Sequence, residues 1–182
     1  MFMNKKQYQN LGFNTRGDLE DFLNRKDIKS IIGENYDHYR ELWLAQYDRI
    51  VNNEPKKKVK GAFNWLALLS FLVWAAYRKL YSSFFALFVL MVALSFAEAY
   101  YDANLSAGLT GIWIVFAFIS KDLYLLHLVS VARKLDRMQD EDKKERFLKR
   151  REGVSKLYAW LSIPVFIVIN SIAVFIALAL RG

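Results

Sequence analysis

The sequence predicts an all-α integral membrane protein with three transmembrane helices, one re-entrant or interfacial helix, and cytoplasmic helical hairpins. Hydrophobic residues make up 54% of the 182 positions and aromatic residues 16%, which is more than soluble domains usually carry. The apolar residues are concentrated in blocks, and a block of about twenty can cross a bilayer as a helix. Lysine and arginine bring the net charge to +8 and cluster at the ends of these blocks, as in cytoplasmic loops.

Composition also limits the kinds of partner and chemistry. A basic protein can bind nucleic acid or anionic lipid, but no nucleic-acid recognition motif accompanies the charge here. We therefore expect membrane lipid as a partner and no nucleic acid. The chain has no cysteine, which excludes disulfides, thiol catalysis and cysteine-ligated metal. Residues 1–10 lack the apolar core of a signal peptide, so we expect the N-terminus in the cytoplasm.

Residues 1–60 are predicted to form a cytoplasmic helical head. Asp18 can cap a first helix that Gly33 would end, and we expect a second helix from about Asn35 to Val51. Aromatic residues recur along one face of this second helix at helical spacing. They are Tyr36, Tyr39, Trp43 and Tyr47. This row either packs against the first helix or contacts a protein partner or lipid headgroups, where amphipathic rings are common.

The membrane region is predicted over residues 61–131 and begins with a short apolar run at 62–76. This run lies between the basic residues of 56–60 and the pair Arg78 and Lys79, and it is too short to cross a bilayer alone. Residues 56–60 and the basic stretch at 133–156 should both face the cytoplasm, so an even number of crossings must separate them. Between them lie the apolar segments 62–76, 80–97 and 105–131. We therefore expect the shortest, 62–76, to dip into the membrane or lie along its surface.

The other segments define the predicted topology. Residues 80–97 cross outward, residues 105–131 cross inward, and the last transmembrane span, within residues 157–182, crosses outward. Residues 132–156 form a charged cytoplasmic connector, which cannot rejoin the membrane as one straight helix. We expect it to turn at 139–142, where Asp142 could cap a second arm, or otherwise to lie flat on the membrane. The N-terminus is then cytoplasmic, and the C-terminus is periplasmic or extracellular.

Aromatic and basic residues at the two ends of the 62–76 run are expected at the membrane interface. They are Phe63, Asn64, Trp65, Trp74, Tyr77, Arg78 and Lys79. These residues, continued by Leu80 and Tyr81, resemble the signature of the bacterial inner-membrane family catalogued as domain of unknown function 2628. The pair Tyr124 and His127 is similar to a later element of that family.

The resemblance covers about residues 35–130 and implies a bacterial inner-membrane protein, but it implies no activity. The chain departs from the family at one place: Phe71-Leu72 stands where members commonly have Gly-Pro. Without that helix-breaking pair, an interfacial or tilted helix is favoured over a sharp dip.

Ionisable residues at membrane depth are costly and mark the best places to search for chemistry. Asp122, His127 and Glu98 could form an ion path, although residues such as Asp122 and its neighbour Lys121 more often mark a helix end, with the lysine reaching the headgroups. Two histidines in separate regions do not make a metal site. No nucleophile elbow or phosphate-binding loop is present. We predict no catalytic residue, cofactor or metal.

The aromatic row of the head, the 62–76 run that does not cross the membrane and the lack of catalytic motifs together favour assembly over catalysis. Our leading interpretation is a non-enzymatic integral membrane scaffold or accessory subunit of a larger inner-membrane assembly. It would contact lipid and either other membrane or cytoplasmic subunits or further copies of itself. The alternative is a homo-oligomeric channel or transporter that uses Asp122, His127 and Glu98.

Overall fold

A computed structural model describes residues 3–54, 63–103 and 106–181. Within these ranges the chain is helical and has no strand, which confirms the predicted all-α class. The helices are α1 (Lys5–Asn10), α2 (Arg16–Asn24), α3 (Lys26–Ile32), α4 (Tyr36–Ile50), α5 (Trp65–Tyr77), α6 (Tyr81–Tyr101), α7 (Ser106–Asp136), α8 (Glu141–Arg151) and α9 (Lys156–Arg181), with a 3-10 turn at Gly33–Asn35.

The helices belong to two units. The head unit comprises Met1–Phe63 and Lys121–Val154, and the apolar unit comprises Asn64–Ser120 and Ser155–Gly182. The boundary between Ser120 and Lys121 falls inside α7, so this one helix contributes residues to both units.

The core of the head unit is built from the apolar faces of α1 to α4 and the second half of α7. Its largest fully buried side chains come from all five helices. They are Tyr8, Leu19, Leu23, Ile28, Ile32, Trp43, Tyr47, Tyr124, Leu125 and Leu128. Burying each of the larger apolar chains stabilises the fold by about 1.5–3 kcal/mol relative to exposure, so these contacts explain why short helices are stable here.

The first predicted helix of the head is divided and begins earlier than the sequence indicates. The N-cap is Thr15, whose hydroxyl accepts from the Asp18 amide at 3.1 Å while Asp18 accepts from the Thr15 amide at 2.7 Å. Asp18 is thus the third residue of a capping box and not the cap itself. The chain leaves the helical conformation at Arg25, which separates α2 from α3. Gly33 ends α3 as expected, with a φ of +70° that favours glycine.

The charged connector contains a turn and a separate helix. Helix α7 ends at Asp136, and α8 begins at Glu141 with Asp140 as its N-cap, accepting from the Lys143 amide at 3.0 Å. Asp142 is therefore not the cap, because Asp140 supplies the acceptor one residue before the first helical turn. Beyond α8, the Gly153 amide donates to Ser30 at 3.2 Å and attaches the end of the connector to α3.

The chain contains helices long and apolar enough to cross a membrane, and one of them has residues in both units. Over the described residues there are three such helices, judged by length and composition: Tyr81–Tyr101, Gly111–Asp136 within α7, and Lys156–Arg181. They overlap the predicted spans at 80–97, 105–131 and 157–182 and confirm the predicted number of such helices. The basic residues 56–60, Ala62, Leu105 and Gly182 lie outside the described residues.

Helix α5, which covers most of the predicted 62–76 run, has 13 residues. At 1.5 Å per residue this is about 20 Å, well short of a hydrocarbon core of about 30 Å. The chain is extended at Ser70, with φ −162° and ψ 102°, so the helix is broken where we expected continuity. That expectation was wrong because the Ser70 hydroxyl accepts from the Val73 amide at 3.3 Å, which caps a new start without Gly-Pro.

Candidate functional site

The Phe63-Asn64-Trp65 motif lies at the start of α5, and Asn64 makes the hydrogen bonds that fix this start. The Asn64 carboxamide oxygen accepts from the Ala67 amide at 3.2 Å, as an N-cap does. Its NH2 group donates to the Ser120 hydroxyl at 3.0 Å, and its backbone amide donates to the Ala117 carbonyl at 3.1 Å. The last two of these hydrogen bonds therefore hold the start of α5 to α7 inside the apolar unit. Trp65 is 71% exposed and lies on the outer surface of that unit.

The body and end of α5 are largely covered by the other helices of the apolar unit. Phe71 and Trp74 are buried, and the Phe71 ring lies 4.3 Å from the Phe116 ring between centroids. Helix α5 also packs against α6 and α9. Arg78 is buried with its guanidinium 5.5 Å from the Tyr77 ring centroid, whereas Lys79 is half-buried. The Tyr77 carbonyl accepts from the Ser155 amide at 2.9 Å, which places the end of α5 beside the start of α9.

A buried ionisable pair lies where α7 enters the head unit. Lys121 is 6% exposed and Asp122 is 3% exposed. The Lys121 ammonium lies 3.4 Å from Nε2 of His38, and the Asp122 carboxylate accepts from the Met3 amide at 3.4 Å. The expectation that Lys121 reaches lipid headgroups is wrong, because its side chain turns inward to α4. Burial of a charged pair requires such partners, since unpaired buried charge is strongly destabilising.

The N-terminal helix covers this pair. Tyr8 of α1 is fully buried, and its ring lies edge-on to Tyr47 at 5.2 Å. Burial, and secondarily the negative charge of Asp122, raise the pKa of the Tyr8 hydroxyl above its ordinary value. Tyr8 was absent from the sequence prediction, because a lone tyrosine in a polar N-terminal segment gives no periodic signal.

The aromatic row of α4 packs inside the head unit. Tyr39, Trp43 and Tyr47 are each less than 5% exposed, and Tyr36 alone of the four keeps partial exposure. Tyr124 of α7 lies 5.2 Å from Tyr39 and 5.9 Å from Trp43 between ring centroids. The Trp43 indole N–H donates to the Lys121 carbonyl at 3.3 Å. The row therefore fixes α7 to α4, and three of its rings have no open face for a partner or lipid.

The three residues of the predicted ion path have separate surroundings. Asp122 contacts the N-terminal segment, and His127 lies with its Nε2 3.3 Å from the Arg151 guanidinium of the connector. Both belong to the head unit, whereas Glu98 belongs to the apolar unit and is half-buried on α6. Each residue thus has its own neighbours, and the ion path stays a prediction.

Helices α6 and α9 are parallel and joined at both ends. Their first turns meet through Tyr81 and Tyr158, whose rings are edge-on at 5.8 Å. At the other end, the Arg181 guanidinium donates to the Asp102 carboxylate at 2.8 Å and holds the pKa of that carboxyl below its usual range. Asp102 is therefore engaged by the arginine at the end of α9. Across the described residues, no cluster of three or more histidine, aspartate or glutamate side chains could hold a metal ion.

Comparisons with known proteins place the chain among proteins without an assigned activity. The family model described as "Protein of unknown function (DUF2628)" matches residues 21–129, more than half of the chain. The match confirms the resemblance and extends it toward the N-terminus, through α2 and α3 of the head unit. No curated protein and no solved structure matches this chain.

Proposed function

For this chain, which belongs to the family described as proteins of unknown function, DUF2628, we propose a role as a non-enzymatic integral membrane scaffold or accessory subunit. Its apolar unit would be embedded in a bacterial inner membrane, and its head unit would face the cytoplasm. The observation that carries the proposal is the unburied apolar surface of the apolar unit.

That surface is concentrated on α9 and α6. Only 6% of the most apolar window of α9 and 11% of that of α6 are buried. Trp160 and Phe175 of α9 are 74% and 73% exposed, and Phe85 of α6 is 62% exposed. Soluble monomers rarely expose contiguous apolar patches larger than a few hundred Å2, so lipid or other membrane subunits must cover these faces.

Helix α5 supports a segment that enters the membrane without crossing it. It is too short to span, it is broken at Ser70, and its buried side chains contact α6, α7 and α9. Non-helical backbone is tolerated at membrane depth only where protein screens it from lipid. We assign α5 as the re-entrant or interfacial element on these grounds, with Trp65 and the Tyr77-Arg78-Lys79 end at the interface.

The parallel arrangement of α6 and α9 supports the proposed topology. Two parallel helices cross in the same direction, as residues 80–97 and 157–182 do when the N-terminus is inside and the C-terminus outside. The connector would then lie in the cytoplasm with its turn at residues 137–140 forming the proposed hairpin with α8.

The head unit offers a charged surface for a cytoplasmic subunit or for anionic lipid. Helix α8 has no buried residue, begins with Glu141 and Asp142, and ends with Lys149, Arg150 and Arg151. These charges complement the helix dipole and so stabilise α8. The outer face of α8 therefore stays exposed without loss of the helix. Such a face suits reversible docking.

Topology is tested with single cysteines, because the chain has none. We would place one each at Lys57, Ser82, Ala103, Gln139 and Gly182 and treat intact cells with a membrane-impermeant thiol reagent. Labelling only at Ala103 and Gly182 supports the proposal. Labelling at Ser82 in intact cells would mean that α5 crosses the membrane, and the topology would then be wrong.

The assembly role is tested by recovering the tagged full-length chain from native membranes in a mild detergent. We expect a complex larger than one copy, and its composition distinguishes a homo-oligomer from an accessory subunit. A chain recovered as a lone monomer at its native level of expression would contradict the role while leaving the topology intact.

The alternative is a homo-oligomeric channel or transporter. It is supported by the low exposure of Asp122 in a helix that is apolar enough to cross a membrane. Its test is ion or proton flux in liposomes. Replacing Asp122 with Asn and His127 with Gln should abolish the flux, and a wild-type protein without flux would remove the alternative.

A further inference from the structure

A groove runs along the first turns of α6 and α9 in the apolar unit. Its volume is about 410 Å3, within the range of about 300–1,000 Å3 found for small-molecule sites. Ala76 of α5 lines it at the end where α6 and α9 begin, and Phe88 and Ile169 line it farthest along these two helices. Phe85, Tyr158 and Val165 line the groove and are also about half exposed or more, so it opens sideways from the unit.

The walls of the groove select an apolar occupant. Its one polar lining group apart from two tyrosines is Ser162, and the hydroxyl of this residue donates to the Ala159 carbonyl at 2.7 Å. That hydrogen bond uses the Ser162 proton within its own helix, so the donors of the lining side chains are the two tyrosine hydroxyls at the end where the helices begin. An occupant with a polar middle would therefore lose hydrogen bonds that water or a headgroup region offers it.

The length of the groove matches one leaflet of a bilayer. From Tyr158 to Ile169 the wall of α9 rises about 16 Å, since a helix advances about 1.5 Å per residue. Half of a hydrocarbon core of about 30 Å is about 15 Å. A chain lying along the helices from the interface to the membrane centre would fill the groove.

The end of the groove where α6 and α9 begin carries the features of a headgroup site. The tyrosines Tyr81 and Tyr158 meet there, and tyrosine is enriched at the level of lipid headgroups. Lys79 and Lys156 lie two residues before these tyrosines, at the N-terminal ends of α6 and α9. Two lysines and the positive ends of two long helices favour a negative charge at this end.

We propose that this groove binds one acyl chain of an anionic glycerophospholipid, whose phosphate lies at the end marked by Lys79 and Lys156. The proposal rests on the membrane location proposed above, and it does not require the scaffold role. A bound lipid would cover the side-facing walls of Phe85 and Val165 and hold α6 and α9 together at the end opposite the Asp102–Arg181 ion pair.

The test compares two matched variants of the full-length protein in detergent. Val165→Trp fills the groove from a lining position that is 46% exposed, and Val168→Trp adds the same bulk at a position that is 57% exposed and does not line it. Each protein is exchanged into detergent with added phosphatidylglycerol or phosphatidylcholine of identical chains, and retained lipid is counted by native mass spectrometry. Leu161→Trp serves as a second groove-filling variant. The helicity and elution volume of each variant are measured to check that it is folded like the wild type.

We expect the wild type and Val168→Trp to retain phosphatidylglycerol over phosphatidylcholine, and Val165→Trp and Leu161→Trp to retain roughly five- to tenfold less, which corresponds to about 1–1.4 kcal/mol. Lys156→Gln should reduce the preference for phosphatidylglycerol while retaining acyl-chain binding. Equal retention by Val165→Trp and Val168→Trp would overturn the proposal, and so would a dimer that Val165→Trp dissociates, since a second copy would then occupy the groove.

Extraction with alkaline carbonate distinguishes a wrong membrane location from a wrong lipid groove. Wild-type protein released from the membrane fraction would overturn both this proposal and the membrane location. Wild-type protein that stays in the membrane but shows no lipid difference between the matched variants overturns the lipid groove alone.

Discussion

Residues 106–120 and residues 121–136 are two halves of one continuous helix, α7, yet they meet different surroundings. In the first half, Ile114, Val115 and Phe118 are each about half exposed. In the second half even Lys121 and Asp122 are buried, together with Tyr124, against α1 and α4 of the head unit. Hydropathy alone would count both halves as one span, because an apolar residue scores the same whether lipid or protein covers it.

The comparison extends to the whole units. The head unit buries its large apolar and aromatic side chains and leaves most charged ones outside, as soluble proteins do. The apolar unit buries small residues such as Ala67, Ala75 and Ala177 together with the rings of Phe71 and Trp74, and it leaves many large apolar residues of α6 and α9 outside. Small residues at helix contacts and large apolar residues outside are the arrangement that lipid favours, since lipid solvates leucine and phenylalanine well.

The strongest way to break this comparison is to make the same substitution in both units. Trp43→Ala removes a fully buried ring of the head and should cost about 3–5 kcal/mol, whereas Trp160→Ala removes a ring that is 74% exposed on α9. Tryptic cleavage within the head of the detergent-solubilised chain should accelerate at least about a hundredfold for Trp43→Ala, since cleavage follows the open population. Trp160→Ala should leave it unchanged. Equal acceleration in both variants would mean that the head has no independent core.

A second test measures the surroundings of the two halves of α7 directly. Spin labels at Ile114→Cys and Leu126→Cys occupy exposed positions, 47% and 40% exposed respectively, on either side of the unit boundary. In proteoliposomes we expect the label at position 114 to be several times more accessible to oxygen, which dissolves in lipid, and the label at position 126 to be more accessible to a water-soluble nickel complex. Lipid-like behaviour at both positions would place the head half of α7 in the bilayer as well.

A third test concerns the attachment of α5. Asn64→Ala removes an N-cap and leaves the Ser120 hydroxyl without its donor, so we expect a loss of about 2 kcal/mol in the free energy of unfolding. Unfolding by dodecyl sulfate in mixed micelles would be measured for Asn64→Ala, Ser120→Ala and the double variant. The cycle should show a coupling of about 1 kcal/mol. Additive losses would show that the side-chain hydrogen bond does not hold α5 to α7.

The smallest expected effect is a pH dependence confined to the head. The backbone hydrogen bond with Thr15 is the main cause that holds the pKa of Asp18 below its ordinary value of 3.8. A lowered carboxyl pKa contributes stability that is present above 3.8 and is lost as the pH falls through the folded value. The midpoint temperature of thermal unfolding should therefore fall less between pH 5 and pH 3 in Asp18→Asn than in the wild type. Asp21→Asn removes the same charge from α2 outside the capping box and is the matched charge control.

Local patterns predicted a large part of the fold. Periodicity placed α4 close to its observed bounds, Gly33 ended α3, and three apolar stretches became helices long enough to span. Local chemistry was less reliable where two polar residues competed for one role. Thr15 rather than Asp18, and Asp140 rather than Asp142, became N-caps, and Ser70 broke α5 where no Gly-Pro stands.

The amino-acid sequence by itself determined that this protein is helical, that its apolar residues fall in bilayer-length blocks, and that it carries a DUF2628 signature. Helix formation and hydropathy depend on neighbours within a few turns, which the sequence contains. Only the tertiary structure decided that Lys121 and Asp122 are buried, that Asn64 bonds Ser120 across 56 positions, and that Tyr81 meets Tyr158 at the mouth of a groove. These contacts join residues far apart in the chain, and packing rather than local preference selects them.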